Sequence, residues 1–252
     1  MADPQFLTSP QGRRLAFHRR DGATPGVMFL GGFKSDMDGT KALYLEEWAA
    51  RKGRAFLRFD YSGHGQSEGA FADGAISDWL DDARAMLEAQ TSGPQILVGS
   101  SMGGWIALLL ARAIPDKVAG MVTVAAAPDF TEDSMWARFS PDQKDALLRE
   151  GQISLPSEYD DPYVITRRLI EDGRSNLVLR TPLSFSFPLH LLQGTEDRDV
   201  DMSVALRLLA HLDADDVRLT LVKNADHRFS DPTCLTLIEK AVEELCSPDI
   251  VQ

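Results

Sequence analysis

The chain has 252 residues, 44% of them hydrophobic and 25% charged, which is the balance of a folded globular domain rather than of a disordered chain. Its formal net charge of −12 disfavours binding to nucleic acids or to anionic membrane surfaces. No apolar run approaches the ~18 residues of a membrane span, and residues 1–4 lack the features of a signal peptide. We therefore expect a single domain over residues 1–252 in the cytoplasm, and the sequence leaves the oligomeric state open.

Short apolar segments of strand length alternate with longer segments of helix length. Continuous apolar runs bounded by Gly, Pro or Asp are typical of strands buried on both faces. The predicted strands are residues 27–30, 55–59, 96–98, 120–124, 189–192 and 217–222. The predicted helices are residues 39–52, 75–89, 102–113, 202–212 and 232–245. This alternation predicts an α/β fold with a mainly parallel, twisted sheet and helices on both faces, and residues 5–8 and 15–19 predict an antiparallel hairpin at one edge.

One connection is much longer than is usual in an α/β fold, with about sixty residues between two predicted strands. Ser140-Pro141-Asp142 and Asp160-Asp161-Pro162 both resemble helix starts, with a capping residue near a proline, and the second precedes a predicted helix at 163–170. We expect residues 129–186 to form a helical cap over the carboxyl edge of the sheet. Its aromatic residues either line an acyl pocket or fix the cap to the body: Trp136, Phe139, Tyr159 and Tyr163.

The strongest local signal is QILVGSSMGGW, residues 95–105. A predicted strand runs into Gly99-Ser100-Ser101-Met102-Gly103, which matches G-x-S-x-G, and a predicted helix follows. In this context the middle serine lies on a sharp turn at a helix N-terminus, whose partial positive charge stabilises an oxyanion. Ser101 is therefore the predicted nucleophile, and Ser100 is interpreted as a residue that packs or hydrogen-bonds locally.

A serine hydroxyl needs a base within hydrogen-bond reach. In folds with this turn the partners follow in the order serine, acid, histidine, with the histidine after the last strand. Among the five histidines, His227 satisfies this order. His64 precedes the serine, and we interpret it as a structural residue that holds its glycine-rich turn next to the active site.

The acid is expected after the strand at 189–192, where the chain reads Gly194-Thr195-Glu196-Asp197-Arg198-Asp199-Val200. The spacing Gly-x-x-Asp-x-x-Val favours Asp197, which would accept the imidazole N–H and fix its tautomer. Asp199 and Glu196 are better interpreted as a solvated turn and a helix start, where negative charges suit the helix dipole. Asp129 stays an alternative, because some enzymes with this arrangement carry the acid after the preceding strand.

Stabilisation of a tetrahedral intermediate needs two preorganised donors. The backbone N–H of Met102 is one candidate, and the backbone N–H of Phe33, in Leu30-Gly31-Gly32-Phe33, is the other. Three aromatic residues are candidates for an apolar acyl site, although core aromatics have the same sequence signature: Trp105, Trp136 and Phe139. Lys34 and Arg228 are hypothesised to attract an anionic group of the substrate.

With these motifs placed, the chain resembles the α/β-hydrolase superfamily throughout. Within it, the chain is similar to the mitochondrial α/β-hydrolase-domain enzymes that act as acyl-protein thioesterases and as esterases of the mycophenolic-acid acyl glucuronide, and we expect a bacterial relative of them. The segments that carry the resemblance are GFKSDMDGTKA (32–42), RFDYSG (58–63), GPQILVGSS (93–101), GGW (103–105), residues 157–159 and Asp226-His227-Arg228. Two positions depart from the usual acid turn: Gln193 replaces a histidine and Asp201 replaces a proline.

The resemblance implies hydrolysis of acyl esters or thioesters through an acyl-enzyme, with a small-molecule acyl substrate and without a metal or organic cofactor. Hydrolysis of C–C bonds by the same triad is an alternative. A non-catalytic ligand-binding protein on this fold is a second alternative, although such proteins typically lose a triad residue or the oxyanion loop, and this chain retains both.

Overall fold

The computed structural model describes residues 3–155 and 163–246. Its strands are, in chain order, β1 (Gln5–Thr8), β2 (Arg14–Arg20), β3 (Ala23–Leu30), β4 (Arg54–Phe59), β5 (Gln95–Ser100), β6 (Val118–Val124), β7 (Gln152–Leu155), β8 (Tyr163–Thr166), β9 (Leu183–Ser184), β10 (Leu189–Gly194), β11 (Leu212–Asp213) and β12 (Val217–Val222). Its α-helices are α1 (Thr40–Lys52), α2 (Ile76–Gln90), α3 (Met102–Ala113), α4 (Pro141–Glu150), α5 (Arg167–Ser175), α6 (Met202–His211) and α7 (Pro232–Cys246). In the described ranges, none of these helices has the length and apolar character of a membrane span.

Eight strands form one sheet in the order β1-β2-β4-β3-β5-β6-β10-β12. The pairs β1–β2 and β2–β4 are antiparallel, and the other pairs are parallel. The predicted mainly parallel sheet is therefore confirmed, as is the hairpin at its edge. Because parallel strands place their carboxyl ends at one edge of the sheet, the loops after β3, β5, β10 and β12 gather there.

Helices cover both faces of the sheet because alternate side chains of each central strand point to opposite faces. Val27 and Phe29 of β3 pack in the cluster that contains the apolar residues of α1 and α7. Met28 and Leu30 pack in the cluster that contains those of α2 and α3. Both faces of β3 are thus buried from solvent, which explains why its sequence is continuously apolar rather than alternating between apolar and polar residues.

The described part of the connection between β6 and β10 contains helical segments together with the strands β7, β8 and β9. A π-helical turn spans Thr131–Trp136, and α4 begins after the capping residue Ser140, whose hydroxyl accepts from the Gln143 N–H at 3.2 Å. The Gln143 side chain in turn accepts from the Ser140 N–H at 2.9 Å, which completes a capping box.

The predicted helix at 163–170 is wrong in its first half. Tyr163–Thr166 is the strand β8, which pairs with β7 in an antiparallel hairpin, and helix α5 begins only at Arg167. The residues Tyr-Val-Ile-Thr are aromatic or β-branched and favour a strand, whereas Thr166 caps the helix that follows. The Asp160-Asp161-Pro162 signal lies outside the described residues.

Candidate active site

Ser101 lies on the sharp turn between β5 and α3. Its φ of 54° and ψ of −119° form a conformation that residues with side chains rarely adopt. A Cβ on Gly103 would lie 2.1 Å from the Leu30 carbonyl oxygen, and a Cβ on Gly99 would lie 2.5 Å from the Gly103 carbonyl oxygen. Both motif glycines are therefore required by close backbone packing. The Ser101 N–H donates to the Val124 carbonyl at 2.9 Å, which fixes the turn to β6.

Three side chains from three loops meet at this turn. The Nε2 atom of His227 lies 3.1 Å from Ser101 Oγ, and its Nδ1 atom lies 2.8 Å from Asp197 Oδ2. Along such a path the imidazole can take the proton of the hydroxyl while the carboxylate stabilises the resulting positive charge. The structure thus brings the predicted nucleophile, base and acid within hydrogen-bond reach of one another.

The Asp197 carboxylate is buried and accepts four hydrogen bonds. Its Oδ1 atom accepts from the backbone N–H groups of Asp199 and Val200, and its Oδ2 atom accepts from His227 and, at 3.0 Å, from the side-chain amide of Gln193. Burial by itself raises the pKa of Asp197, but these bonds outweigh it and hold the pKa below its ordinary value. Gln193, which replaces the usual histidine, therefore still supplies a donor to the acid.

Asp129, the alternative acid, has a different role. Its buried carboxylate accepts from the N–H groups of Val178 at 2.8 Å and Leu179 at 3.0 Å, and from the Arg180 side chain at 3.2 Å. These partners belong to the segment that returns from the cap to the sheet, so Asp129 ties the two ends of the insertion together. Burial raises the pKa of Asp129 despite these bonds. The geometry therefore favours Asp197 as the partner of His227.

The two predicted oxyanion donors flank the serine. Met102 is the first residue of α3, and Phe33 follows Gly32, on which a Cβ would lie 3.4 Å from Ser101 Cβ. Within the described part of the chain, neither N–H group donates to a protein acceptor. Both are thus available to an oxygen atom of a bound substrate.

The loop that carries Phe33 is supported by His64, a contact that the sequence analysis did not anticipate. The Nε2 atom of His64 accepts from the Lys34 N–H at 3.3 Å, and Nδ1 lies 3.2 Å from the Ser62 carbonyl oxygen. Both contacts fit a neutral imidazole with its proton on Nδ1. Burial lowers the pKa of His64 to about 4, although the Ser62 carbonyl opposes this shift. The imidazole therefore stays a neutral acceptor beside the oxyanion loop.

Asp60 and Arg58 support the same loop, and the sequence analysis assigned them no role. Asp60 Oδ1 accepts from the Met37 N–H at 2.6 Å. The buried Arg58 donates to the Met37 carbonyl at 3.2 Å and to the Asp38 carboxylate at 2.6 Å. Burial raises the pKa of Asp60 to about 6, against the effect of its backbone hydrogen bonds. The sequence did contain a signal for this contact, because the segments at 32–42 and 58–63 both carry the family resemblance, and these hydrogen bonds join one to the other.

Two cavities share Ser101 and His227 in their walls. The larger cavity, of about 700 Å³, extends below the cap, and the smaller one, of about 180 Å³, lies between the oxyanion loop and α1. The wall of the larger cavity is mainly apolar and includes Phe33, Ala127, Phe130, Met135, Leu155, Tyr163, Ile165 and Val200. The smaller cavity carries several polar or charged side chains: Ser35, Asp36, Thr40, Lys41 and Arg228. The larger volume is in the range of typical small-molecule sites.

Three aromatic residues predicted to line an acyl pocket lie elsewhere. Trp105 is fully buried on the inner side of α3, and its Nε1–H donates to a backbone carbonyl of the cap at 3.1 Å. Trp136 and Phe139 pack on each other, with ring centroids 6.3 Å apart. Among the described residues that line the larger cavity, Tyr163 is present and these three are not. Tyr159 lies outside the described residues.

The two cations predicted to attract an anionic group line different cavities. Lys34 is in the wall of the larger cavity, and Arg228 is in the wall of the smaller one. The Lys34 ammonium lies 5.0 Å from the Tyr163 ring centroid and 5.6 Å from that of Phe71, which is within the range of cation–π contacts. The two residues therefore do not form one anion site.

Asp197, Asp199 and His227 also offer ligand atoms that lie within 4.8 Å of one another. Both Asp197 oxygens already accept two hydrogen bonds each, and one of the donors is His227 Nδ1. A metal ion bound there would have to displace these hydrogen bonds. This donor set therefore fits an acid–base pair better than a metal centre.

The chain matches known proteins over most of its length. The family described as serine aminopeptidase, S33 matches residues 26–168. The palmitoyl-protein thioesterase ABHD10 of Rattus norvegicus, named as mitochondrial, is 35% identical over 242 residues, or 95% of this chain and 81% of the rat protein. A putative hydrolase from Agrobacterium vitis S4 has a structure with a TM-score of 0.94 at 42% identity, covering 97% of this chain and 99% of that one. The structure of the alpha/beta hydrolase domain-containing protein 10 from mouse has a TM-score of 0.89 at 32% identity, and the match covers 97% of this chain and 98% of the mouse chain.

The substitution His64→Asn is expected to remove a pH-dependent part of the stability. The pKa of His64 is about 4 in the folded protein against 6.5 ordinarily, so the unfolded state binds the extra proton and stability falls as the pH falls from about 6.5 to about 4. From pH 7 to pH 5, the free energy of unfolding of the wild type should fall by about 2 kcal/mol more than that of the variant. Urea unfolding at both pH values measures the difference, and equal losses would contradict the prediction.

Proposed function

Because the chain belongs to the serine aminopeptidase S33 family of α/β hydrolases and is an esterase or thioesterase, we propose that it cleaves long-chain acyl thioesters and esters through an acyl-enzyme at Ser101. The observation that carries the proposal is the hydrogen-bonded path from Ser101 Oγ through His227 to Asp197. The Ser101 end of this path lies beside the two candidate oxyanion N–H groups and in the wall of an apolar cavity.

In the first half of the reaction, Ser101 Oγ attacks the carbonyl carbon of the substrate while its proton passes to His227 Nε2. The new oxyanion accepts hydrogen bonds from the N–H groups of Phe33 and Met102. When the intermediate collapses, the C–S or C–O bond breaks, and the imidazolium returns the proton to the leaving thiol or alcohol. Asp197 stays ionised and stabilises the imidazolium, in keeping with its lowered pKa.

In the second half, His227 takes a proton from a water molecule, whose oxygen attacks the acyl carbon. The same N–H groups bind the second oxyanion, and collapse breaks the bond between the acyl carbon and Ser101 Oγ. The imidazolium then protonates Oγ, so that the carboxylic acid leaves and the enzyme is restored.

The larger cavity supports a long acyl chain as the group transferred to Ser101. Its apolar side chains come from both the body and the cap, and Ser101 stands in its wall. Burial of each methylene group in such a site stabilises the bound state by about 0.8 kcal/mol. The name palmitoyl-protein thioesterase, carried by the rat relative, also supports a long chain.

An enzyme is favoured over a non-catalytic ligand-binding protein by the state of the serine. A positive φ at a non-glycine residue lowers stability, and such strain is typical of functional sites. Ligand binding alone would need neither this strain nor a base 3.1 Å from the hydroxyl. Hydrolysis of a C–C bond by the same triad stays an alternative, and a substrate panel that includes β-diketones distinguishes it.

The substitution Ser101→Ala should abolish turnover of p-nitrophenyl esters and of palmitoyl-CoA. Removal of the nucleophile leaves only binding and oxyanion stabilisation, so kcat should fall by about 10⁴-fold or more. Labelling by a fluorophosphonate should vanish as well. The matched control is Ser100→Ala, which removes the neighbouring hydroxyl and should keep both readouts within about tenfold of the wild type. Turnover or labelling that survives in Ser101→Ala would contradict the assignment.

The substitutions Asp197→Asn and Asp129→Asn should have opposite effects. Asp197→Asn no longer fixes the imidazole tautomer, so kcat should fall by about 10³- to 10⁴-fold while the fold is retained. Asp129→Asn weakens the charge-assisted bonds that close the cap, so it should lower the free energy of unfolding by about 1–3 kcal/mol and leave kcat largely unchanged. Steady-state kinetics and urea unfolding of both variants test this, and the reverse pattern would make Asp129 the acid.

A bulkier residue in the larger cavity should shorten the preferred acyl chain. Met135→Trp reduces the volume of the cavity, so kcat/KM for a C16 ester should fall by about tenfold or more relative to a C4 ester, given about fourfold per excluded methylene. The control is Arg138→Trp, which places the same side chain at an exposed position of the same segment. An unchanged ratio of C16 to C4 activity in Met135→Trp would show that the chain binds elsewhere.

A further inference from the structure

Lys41, in the first turn of α1, is a charged residue that the proposed mechanism does not use. Its Nζ atom donates to the backbone carbonyl of Arg228 at 2.5 Å, and its side chain lines the smaller cavity together with Ser101 and His227. Arg228 directly follows the base in the sequence. The contact therefore joins α1 to the loop that carries His227, across 187 residues of sequence.

The position of Lys41 is unfavourable for an ammonium group. The N-terminus of a helix carries partial positive charge, and the first turn of α1 has no acidic residue to offset it. Burial lowers the pKa of Lys41 to about 8, and the Asp226 carboxylate compensates this effect only in part. The charged form of Lys41 is thus disfavoured in the wall of the cavity that also contains Ser101 and His227. Residues with perturbed pKa values in a cleft of this kind are candidates for a functional role.

The loop that carries His227 bonds to the loop after β10, which carries Asp197. The Glu196 N–H donates to the Ala225 carbonyl at 3.0 Å, and Asp197 binds the imidazole itself. The loop contains two non-glycine residues with positive φ: Asn224 at 65° and Phe229 at 49°. The bond from Lys41 comes from α1, a different element, and acts on the carbonyl of the residue next to His227.

We propose that Lys41 is a positioning residue for the catalytic base: its ammonium holds the Arg228 carbonyl and thereby keeps His227 Nε2 within hydrogen-bond reach of Ser101 Oγ. The inference rests on the proposed function, in which His227 is the base. A displacement of a catalytic group by about 1 Å can lower a rate by about a hundredfold. The Arg228 carbonyl also accepts from the Ser230 hydroxyl of its own loop at 2.8 Å, whereas the bond from Lys41 ties this carbonyl to a different element, α1.

The strength of the bond from Lys41 to the Arg228 carbonyl is expected to depend on pH, because Lys41 lies among several charged groups. Asp226 and Arg228 approach it from the histidine loop, and Asp36 of the oxyanion loop lines the same cavity. Cys234 of α7 also faces it, but burial raises the pKa of that thiol to about 12, so it stays neutral. A charged donor bonds about twice as strongly as a neutral one. As the pH rises through about 8, Lys41 loses its proton and its hold on the carbonyl weakens.

The experiment compares the wild type with Lys41→Met, Lys41→Arg and the control Lys240→Met, which removes the charge of an exposed lysine on α7. Two rates are measured from pH 6 to 9.5: kcat on p-nitrophenyl butyrate, and the rate of fluorophosphonate labelling, which reports on the serine and base without a substrate. Lys41→Met should lower both by about ten- to hundredfold at pH 7, with KM little changed. The wild type and Lys240→Met should lose activity above pH 8, whereas Lys41→Arg, which keeps its charge, should not.

Three outcomes overturn the proposal. The first is a labelling rate and pH profile in Lys41→Met equal to those of the wild type. The second is a change confined to the KM for p-nitrophenyl butyrate, with kcat and labelling unchanged, which would make Lys41 a substrate-binding residue. The third is an alkaline loss in Lys41→Arg identical to that of the wild type. Wild-type protein that is labelled but turns over no ester or thioester would instead contradict the proposed function, and the labelling rates would still decide the role of Lys41.

Discussion

The close approach of α3 to the end of β3 is the constraint on which the site depends. Gly103 lies so near the Leu30 carbonyl that no side chain fits between them. This contact fixes the start of α3, and with it the Ser101 hydroxyl and the Met102 N–H. It also brings the loop after β3, which carries Phe33, to the same point. The candidate nucleophile Ser101 and both candidate oxyanion donors therefore have fixed relative positions before any substrate binds, which is the condition for electrostatic preorganisation.

Buried polar groups then hold the loop that packing alone would leave free. His64 binds the amide after Phe33, and Arg58 and Asp60 bind residues further along the loop. Two of these supports have shifted pKa values for the same reason, because burial disfavours the charged forms of both His64 and Asp60. Such a network lowers the number of conformations available to the loop, and it is stable only when each of its members has a partner.

The sheet and the proximity of Ser101, Asp197 and His227 were predictable because each of the three residues belongs to a local pattern at the end of a buried strand, and parallel strands bring such ends together. The contributions of Arg58 and Asp60 were not predictable from local pattern, since their partners are distant in sequence and a polar turn looks the same when it is solvated. The strand β8 was predicted as a helix because Asp160-Asp161-Pro162 has the pattern of a helix start, although the aromatic and β-branched residues at 163–166 favour a strand. Trp105 was misplaced because a buried aromatic residue has the same signature in a core as in a pocket.

The two cavities that share Ser101 and His227 have a consequence for where the two products of the proposed reaction are held. An acyl chain that fills the larger cavity leaves the smaller one for the departing thiol or alcohol. In the proposed reaction, the space vacated by the first product borders both Ser101 and His227, whereas the acyl chain occupies the larger cavity. Water can then reach the acyl-enzyme by the exit route of the first product, and the fatty acid is released last. The acyl-enzyme chemistry already makes the carboxylic acid the last product, because the acyl group stays bonded to Ser101 until water attacks, and the two cavities give the two products separate spaces.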